Sequence, residues 1–350
     1  PAHRRPRRLP GGHARPARRG ATPRAVYRPP PDHPAARTAE LPPEPGDFDT
    51  FWSETLRTAR KAGGDPEVRP VPDAPLTTLD AYDVRFAGWA GQPIAAWLVV
   101  PSEAEGPLPT VITYIGYSGG RGLATDHLLY ASAGYAHLVV DSRGQGHDTP
   151  DPHPDSGTQG VHGYMTRGIE DPHAHYYRRL VTDCVRAVDA ARSLPHVDRD
   201  RIVVQGASQG GGLALAVAGL AGDHIAGALP DVPLLCHIRR GAETATEGPY
   251  TELVDHLRHH DPYAADRVFT TLGYFDGVHF ARRATAPALF SAGLMDAVCP
   301  PSTVLAAFRN YAGEKDIREW PFGDHSGGKG ATAVEHLRWL RRHGLAPARR

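Results

Sequence analysis

The sequence predicts an α/β fold: a mostly parallel sheet covered by helices on both faces, three layers αβα. Two observations carry this. From about residue 111 onward, short apolar runs alternate with stretches of helical length and periodicity. Several of these runs, such as Val111-Ile112-Thr113-Tyr114-Ile115, are apolar without alternation, as strands buried on both faces are.

The elements follow in chain order. Asp47, Phe48 and Asp49 lead into Phe51, Trp52 and Leu56, an amphipathic helix. Residues 66–75 read as a polar, Pro-rich connector. Residues 82–86 alternate and 94–100 form an apolar run ending at Pro101, an antiparallel strand pair. Strand, helix and strand then follow at 111–115, 126–133 and 137–141, with Gly134 at the helix C′ position that needs φ > 0. A long polar loop runs from 142 to about 175. A helix at 176–193 carries the stripe Leu180, Val181, Cys184 and Val188 and stops at Pro195. Residues 202–204 are a strand, and 213–220, apolar nearly all round, a buried helix. A strand at 288–292, a helix at 304–311, a strand at 317–320 and a helix at 331–342 complete the pattern.

Composition excludes several function classes. Lys+Arg and Asp+Glu both number 39, so the chain lacks the basic excess of a nucleic-acid binder. There is no apolar stretch of about 18 residues to span a membrane. Three Cys cannot build a disulfide framework. The charge is unevenly placed: Arg and Pro crowd residues 1–40, where only Asp32 and Glu40 are acidic. With little to bury, that stretch is expected to be a disordered tail, and it has no apolar core of a secretory signal. Residues 41–350 are then expected to form one domain.

The sharpest chemical signal is Gly206-Ala207-Ser208-Gln209-Gly210, between a buried strand and a buried helix. That context makes a nucleophile elbow, in which a strained Ser stands clear of the sheet edge at a helix N-terminus and needs small neighbours two before and two after. A serine hydroxyl needs a base, and the base an orienting acid, in the chain order Ser, acid, His. Asp296 follows the strand at 288–292, and His325 follows the strand at 317–320. Asp324 is the competing acid, but a sequence neighbour rarely points at its own His ring, so it reads as a solvated loop carboxylate. The expected oxyanion donors are the backbone N–H of Gln209 and that of Tyr117, in the turn Gly116-Tyr117-Ser118-Gly119-Gly120. The Tyr117 ring reads equally well as a wall of the acyl site or as a packing aromatic.

Other residues weigh less. His147, His153, His162, His173 and His175 crowd one loop, but their spacing lacks the Cys or Glu partners of a closed metal site, and no metal or other cofactor is expected. Cys299 is placed near the pocket, while Cys184 and Cys236 read as buried small hydrophobes. Arg143 reads as a brace between loops.

Together these residues resemble carbohydrate esterase family 7, the acetyl xylan esterases and cephalosporin C deacetylases of the α/β-hydrolase superfamily. The resemblance runs from about Phe48 to about Leu340. It rests on Arg143-Gly144-Gln145, the 206–210 motif, 163–169, Asp231-Val232-Pro233 with Cys236, 274–278, and 293–296 continuing through 299–303. It implies an α/β-hydrolase fold with Ser208 as nucleophile, His325 as base and Asp296 as its orienter. Tyr117 and Gln209 would supply the oxyanion N–H groups, and Pro233 would line a short acyl pocket. It further implies acetylated sugar or antibiotic substrates, no metal, a cytoplasmic location and a homo-oligomer, a hexamer in the family. Two positions depart from the pattern: Ser326 follows His325 where the family has Glu, and the Arg/Pro tail replaces the family's short N-terminal segment.

Two other readings share parts of this picture. A prolyl-oligopeptidase-type peptidase uses the same elbow and triad but gates its site with a propeller, which about 40 loose residues cannot build. A scaffold on a hydrolase fold has no reason to keep Ser208, Asp296 and His325 together.

Overall fold

The computed structural model describes residues 40–146, 148–152 and 161–348. The expected tail over 1–40 lies outside these residues except for Glu40, as do His147 and His153.

Nine strands form one sheet: β1 (Glu67–Pro70), β2 (Leu79–Ala87), β3 (Pro93–Pro101), β4 (Leu108–Tyr114), β5 (Ala136–Val140), β6 (Val197–Ala207), β7 (Gly227–Asp231), β8 (Ala288–Gly293) and β9 (Lys315–Trp320). Their order is β1-β2-β3-β5-β4-β6-β7-β8-β9. The first three pairings, β1 with β2, β2 with β3 and β3 with β5, are antiparallel, and the rest are parallel. The connector expected at 66–75 thus contains an edge strand; β1 is mostly exposed and ends in a proline, which an edge tolerates.

The period-2 alternation of the strands sorts their side chains into two cores. Ile112, Val204, Ala228 and Phe290 face a large core built with α1 (Phe48–Lys61), α3 (Tyr176–Ala191), α4 (Gln209–Ala221) and α9 (Pro301–Asn310). Val111, Val203, Leu229 and Leu289 face a smaller one, with Tyr130 of α2 (Leu129–Ser132) and Trp339 and Leu340 of α10 (Gly330–Arg342). The helix expected at 126–133 is shorter: a 3-10 turn at Ala124–Asp126 precedes α2, and Gly134 has φ 96. Four helices between β7 and β8, α5 (Ile238–Thr244), α6 (Tyr250–His259), α7 (Ala265–Gly273) and α8 (Gly277–Ala281), complete the chain.

One step further along the same alternation, the smaller core turns polar. Thr113, Gln205, Asp231 and Ser291 form a hydrogen-bonded row across four strand ends: Thr113 Oγ1 to Gln205 Oε1 2.9 Å, Gln205 Nε2 to Asp231 Oδ2 3.4 Å, and Ser291 Oγ to Asp231 Oδ1 2.8 Å. His336 of α10 joins through Asp231 at 3.2 Å. Burying such groups is tolerable because each has a partner.

Candidate active site

Ser208 occupies the turn from β6 into α4 with φ 59 and ψ −121, a strained conformation for a residue with a Cβ. Both flanking glycines are obligatory. A Cβ on Gly206 would lie 2.4 Å from the Gly210 backbone, and one on Gly210 would lie 2.1 Å from the Tyr114 carbonyl oxygen. The strain is held from three sides. Ser208 N–H donates to Asp231 O at 2.9 Å, and its carbonyl accepts from Gly212 N at 3.0 Å and Leu234 N at 2.9 Å. The Leu234 bond ties the elbow to the loop after β7, where Val232, Leu235 and His237 all have positive φ. Pro233 lies in this loop, its Cα 3.1 Å from where a Cβ of Gly211 would stand.

Asp296 and His325 meet where their loops are zipped together. Leu294 N–H donates to Trp320 O at 3.0 Å and Met295 N–H to Gly323 O at 2.9 Å, while Gly293 has no room for a Cβ against Asp324 O. Asp296 Oδ2 is 2.9 Å from His325 Nδ1, and Asp296 Oδ1 accepts from Val298 N at 2.8 Å and Cys299 N at 2.9 Å. The carboxylate is buried and both its oxygens accept hydrogen bonds, so it can fix the imidazole's orientation and tautomer. Asp324 is exposed, and its Oδ1 accepts Ser326 N–H at 2.9 Å. This local turn braces the His325 loop through the backbone of residue 326, without calling on a Glu side chain there.

Cys299 completes the cluster. One ligand-type atom each from Asp296, Cys299 and His325 lie within 4.8 Å of one another, the one grouping of three among the described residues with the donor types to hold a cation. The Asp296 oxygens, however, are already engaged by His325 and two backbone N–H groups. Burial and the Asp296 charge push the Cys299 thiol well above its usual pKa, and its one counteracting contact is a hydrogen bond with Ser208. Ser208, which works against this rise, therefore stands beside the cluster. Catalytic hydrogen bonds in unliganded sites commonly close only when substrate binds.

The two expected oxyanion donors lie on adjacent elements, the turn after β4 and the first residue of α4. Gln209 opens α4, so its N–H has no partner within the helix. Tyr117 sits at the corner of a turn closed by Gly119 N–H to Gly116 O at 3.1 Å, with Ser118 at φ 59. Gln145 locks these elements together. Its Oε1 accepts from Ser118 N at 2.7 Å, and its amide pairs reciprocally with that of Gln209 at 2.8 and 3.1 Å. The Tyr117 ring packs edge-on against Tyr164, centroids 5.5 Å apart, and its hydroxyl donates to Glu252 Oε1 at 2.6 Å.

Arg143 is the brace expected of it. It is fully buried and binds both Asp183 oxygens, at 2.5 and 2.8 Å, as well as Gln92 and Asp151. Burial would raise the pKa of Asp151, but Arg179, Arg143 and Arg167 together hold it below the usual carboxylate value. Of the histidines in this loop, His175 is spent on packing: its Nδ1 caps α3 by accepting Tyr177 N–H at 3.2 Å. Sequence reasoning missed Gln145 and Glu252 as supports of the oxyanion turn. Gln145 stood in view, two residues beyond Arg143; Glu252 carries no local signal.

A family model described as acetyl xylan esterase (AXE1) matches residues 37–343. Among solved structures, the chain is similar to an acetyl xylan esterase from Paenibacillus sp. R4: 40% identity, covering 87% of this chain and 96% of that one, with a TM-score of 0.83. It is also similar to acetyl xylan esterase 1 from Thermoanaerobacterium sp. JW/SL YS485: 33% identity, 87% and 95% coverage, TM-score 0.79. A curated relative, acetyl esterase Axe7A of Xylanibacter ruminicola, is 28% identical over 290 residues, or 80% of this chain; the chain spans 63% of that relative's length. With the family model matched across almost all of the described residues, the chain belongs to the acetyl xylan esterase family.

Proposed function

We propose that this protein is a serine esterase that removes acetyl and other short acyl groups from small acetylated substrates. The observation that carries the reading is the 2.9 Å Asp296–His325 hydrogen bond beside the strained Ser208 elbow, in a chain of this family. Ser208 Oγ attacks the ester carbonyl carbon while His325 Nε2 takes its proton. The carbonyl oxygen becomes an oxyanion and accepts from the Tyr117 and Gln209 N–H groups, at the positive end of α4. Collapse of the intermediate breaks the bond to the alcohol, which leaves with the proton from His325. Water, deprotonated by the same imidazole, then attacks acetyl-Ser208 and releases acetate. Pro233, on the loop bonded to the Ser208 carbonyl, is assigned to limiting acyl length.

The family supports acetylated xylo-oligosaccharides as substrates. Cephalosporin C, a cytoplasmic location and assembly into a homo-oligomer rest on the sequence resemblance alone and are carried as part of the proposal.

The test is hydrolysis of p-nitrophenyl acetate, butyrate and octanoate, with Ser208→Ala beside the wild type. Acetate is preferred and the substitution abolishes turnover. Equal rates for wild type and Ser208→Ala contradict the nucleophile assignment, and a preference for octanoate contradicts the short acyl pocket.

A further inference from the structure

Glu252 projects from α6, in the helical insertion between β7 and β8, yet its carboxylate ends at the oxyanion turn. Oε1 accepts the Tyr117 hydroxyl at 2.6 Å and Oε2 accepts Met165 N–H at 3.1 Å. The Tyr117 hydroxyl in turn accepts Tyr164 N–H at 2.5 Å. The chain makes room for this carboxylate at Gly163, which has φ 122 and where a Cβ would lie 2.1 Å from the Glu252 carboxyl group. Burial raises the carboxyl's pKa above its usual value against these hydrogen bonds, so the group is kept at an electrostatic cost.

The direction of the Tyr117 N–H is fixed at one end by the Gly116–Gly119 turn and the Ser118–Gln145 bond. The other end of the residue, its ring, is fixed by Glu252. We propose that Glu252 is a positioning residue for the oxyanion hole, holding Tyr117 so that its backbone N–H points at the charge that develops in the transition state. This rests on the esterase reading above. It assigns α6 a catalytic purpose that its distance in sequence from Ser208 conceals. Gln at position 252 has the same shape, but with its one oxygen accepting Met165 N–H it presents an amide N–H₂ to the Tyr117 hydroxyl, which then loses the acceptor for its own proton.

The test compares wild type, Glu252→Gln, Tyr117→Phe and the double variant. Tyr117→Phe removes one oxygen and keeps the ring, so it decides the question if Glu252→Gln unfolds. The readouts are kcat and KM for p-nitrophenyl acetate, affinity for phenylboronic acid as a tetrahedral mimic, and labelling of Ser208 by a fluorophosphonate. An oxyanion donor acts mainly in the transition state, and losing one entirely costs about 10²–10³ in kcat. Partial misalignment is therefore expected to lower kcat by about tenfold or more, with KM changed less than about threefold. Boronate affinity falls in step with kcat, and the double variant is no slower than the worse single one, because both act through one contact. Unchanged kcat, a change confined to KM, or multiplicative losses in the double variant overturn the proposal. Fluorophosphonate labelling separates the two failures. If wild-type Ser208 is not labelled, the esterase reading falls. If it is labelled and the variants turn over at the wild-type rate, only the role of Glu252 falls.

Discussion

Ser208 and Cys299 lie close together, and their environments decide which of them can act as nucleophile. Burial and the neighbouring Asp296 keep the thiol protonated, whereas the hydroxyl stands at a helix N-terminus. All three cysteines are buried. The native protein should therefore show no thiol reactive toward 5,5′-dithiobis(2-nitrobenzoate) and three after unfolding; rapid reaction of one native thiol contradicts the burial argument. Asp296→Asn should leave the fold intact and lower kcat by about 10⁴, the scale seen when an orienting carboxylate loses its charge and the imidazole its tautomer. A loss of less than tenfold means that Asp296 does not orient the base. Ser208, Asp296 and His325 are legible in sequence because each follows the end of a parallel strand, β6, β8 or β9, which places all three at one sheet edge. The roles of Glu252 and Gln145 are not, because they exist only where distant loops meet.

At the scale of elements, the elbow is the most constrained piece of the chain. Gly210→Ala must move either α4 or the end of β4, since the added Cβ would meet the Tyr114 carbonyl at 2.1 Å. Overpacking against backbone of this kind is expected to cost about 3 kcal/mol. Calorimetry should show a clearly lowered melting temperature, and an unchanged one contradicts the tight elbow. The strands flanking the site were readable from their apolar runs, and their true extents differ by a few residues. β7 was not readable: Gly-Ala-Leu-Pro-Asp has no alternation, and its proline argues against a strand inside a sheet. β1 was obscured in the same way by Pro70 and by Pro66 and Pro72 on either side of it. The helices α5–α8 are short, and what places them is tertiary contact, such as the Asp276 carboxylate accepting the His237, Ile238 and Val278 N–H groups.

For the whole molecule, the two cores on either side of the sheet enclose titratable groups whose burial links stability to pH. His137 and His175 are pushed down to about 4 by burial. An unfolded imidazole titrates near about 6.5. The folded pKa is the lower one, so their contribution is fully present above about 6.5 and is lost as pH falls from there through about 4. The melting temperature should drop across that window. His175→Asn, which keeps a capping side chain at the start of α3, should flatten the drop, and an unchanged slope contradicts the linkage to His175. The fold class was legible because it depends on the alternation of strand and helix, a property of the entire chain that survives errors in single elements.

The proposed mechanism requires an acyl group to pass through Ser208. Acid-quenching the enzyme during steady-state turnover of p-nitrophenyl acetate, followed by peptide mass spectrometry, tests this most directly. The predicted result is a single acetyl group on the peptide spanning the elbow, located at Ser208 and missing from Ser208→Ala. Acetyl found instead on Cys299, or continued turnover by Ser208→Ala, would contradict it.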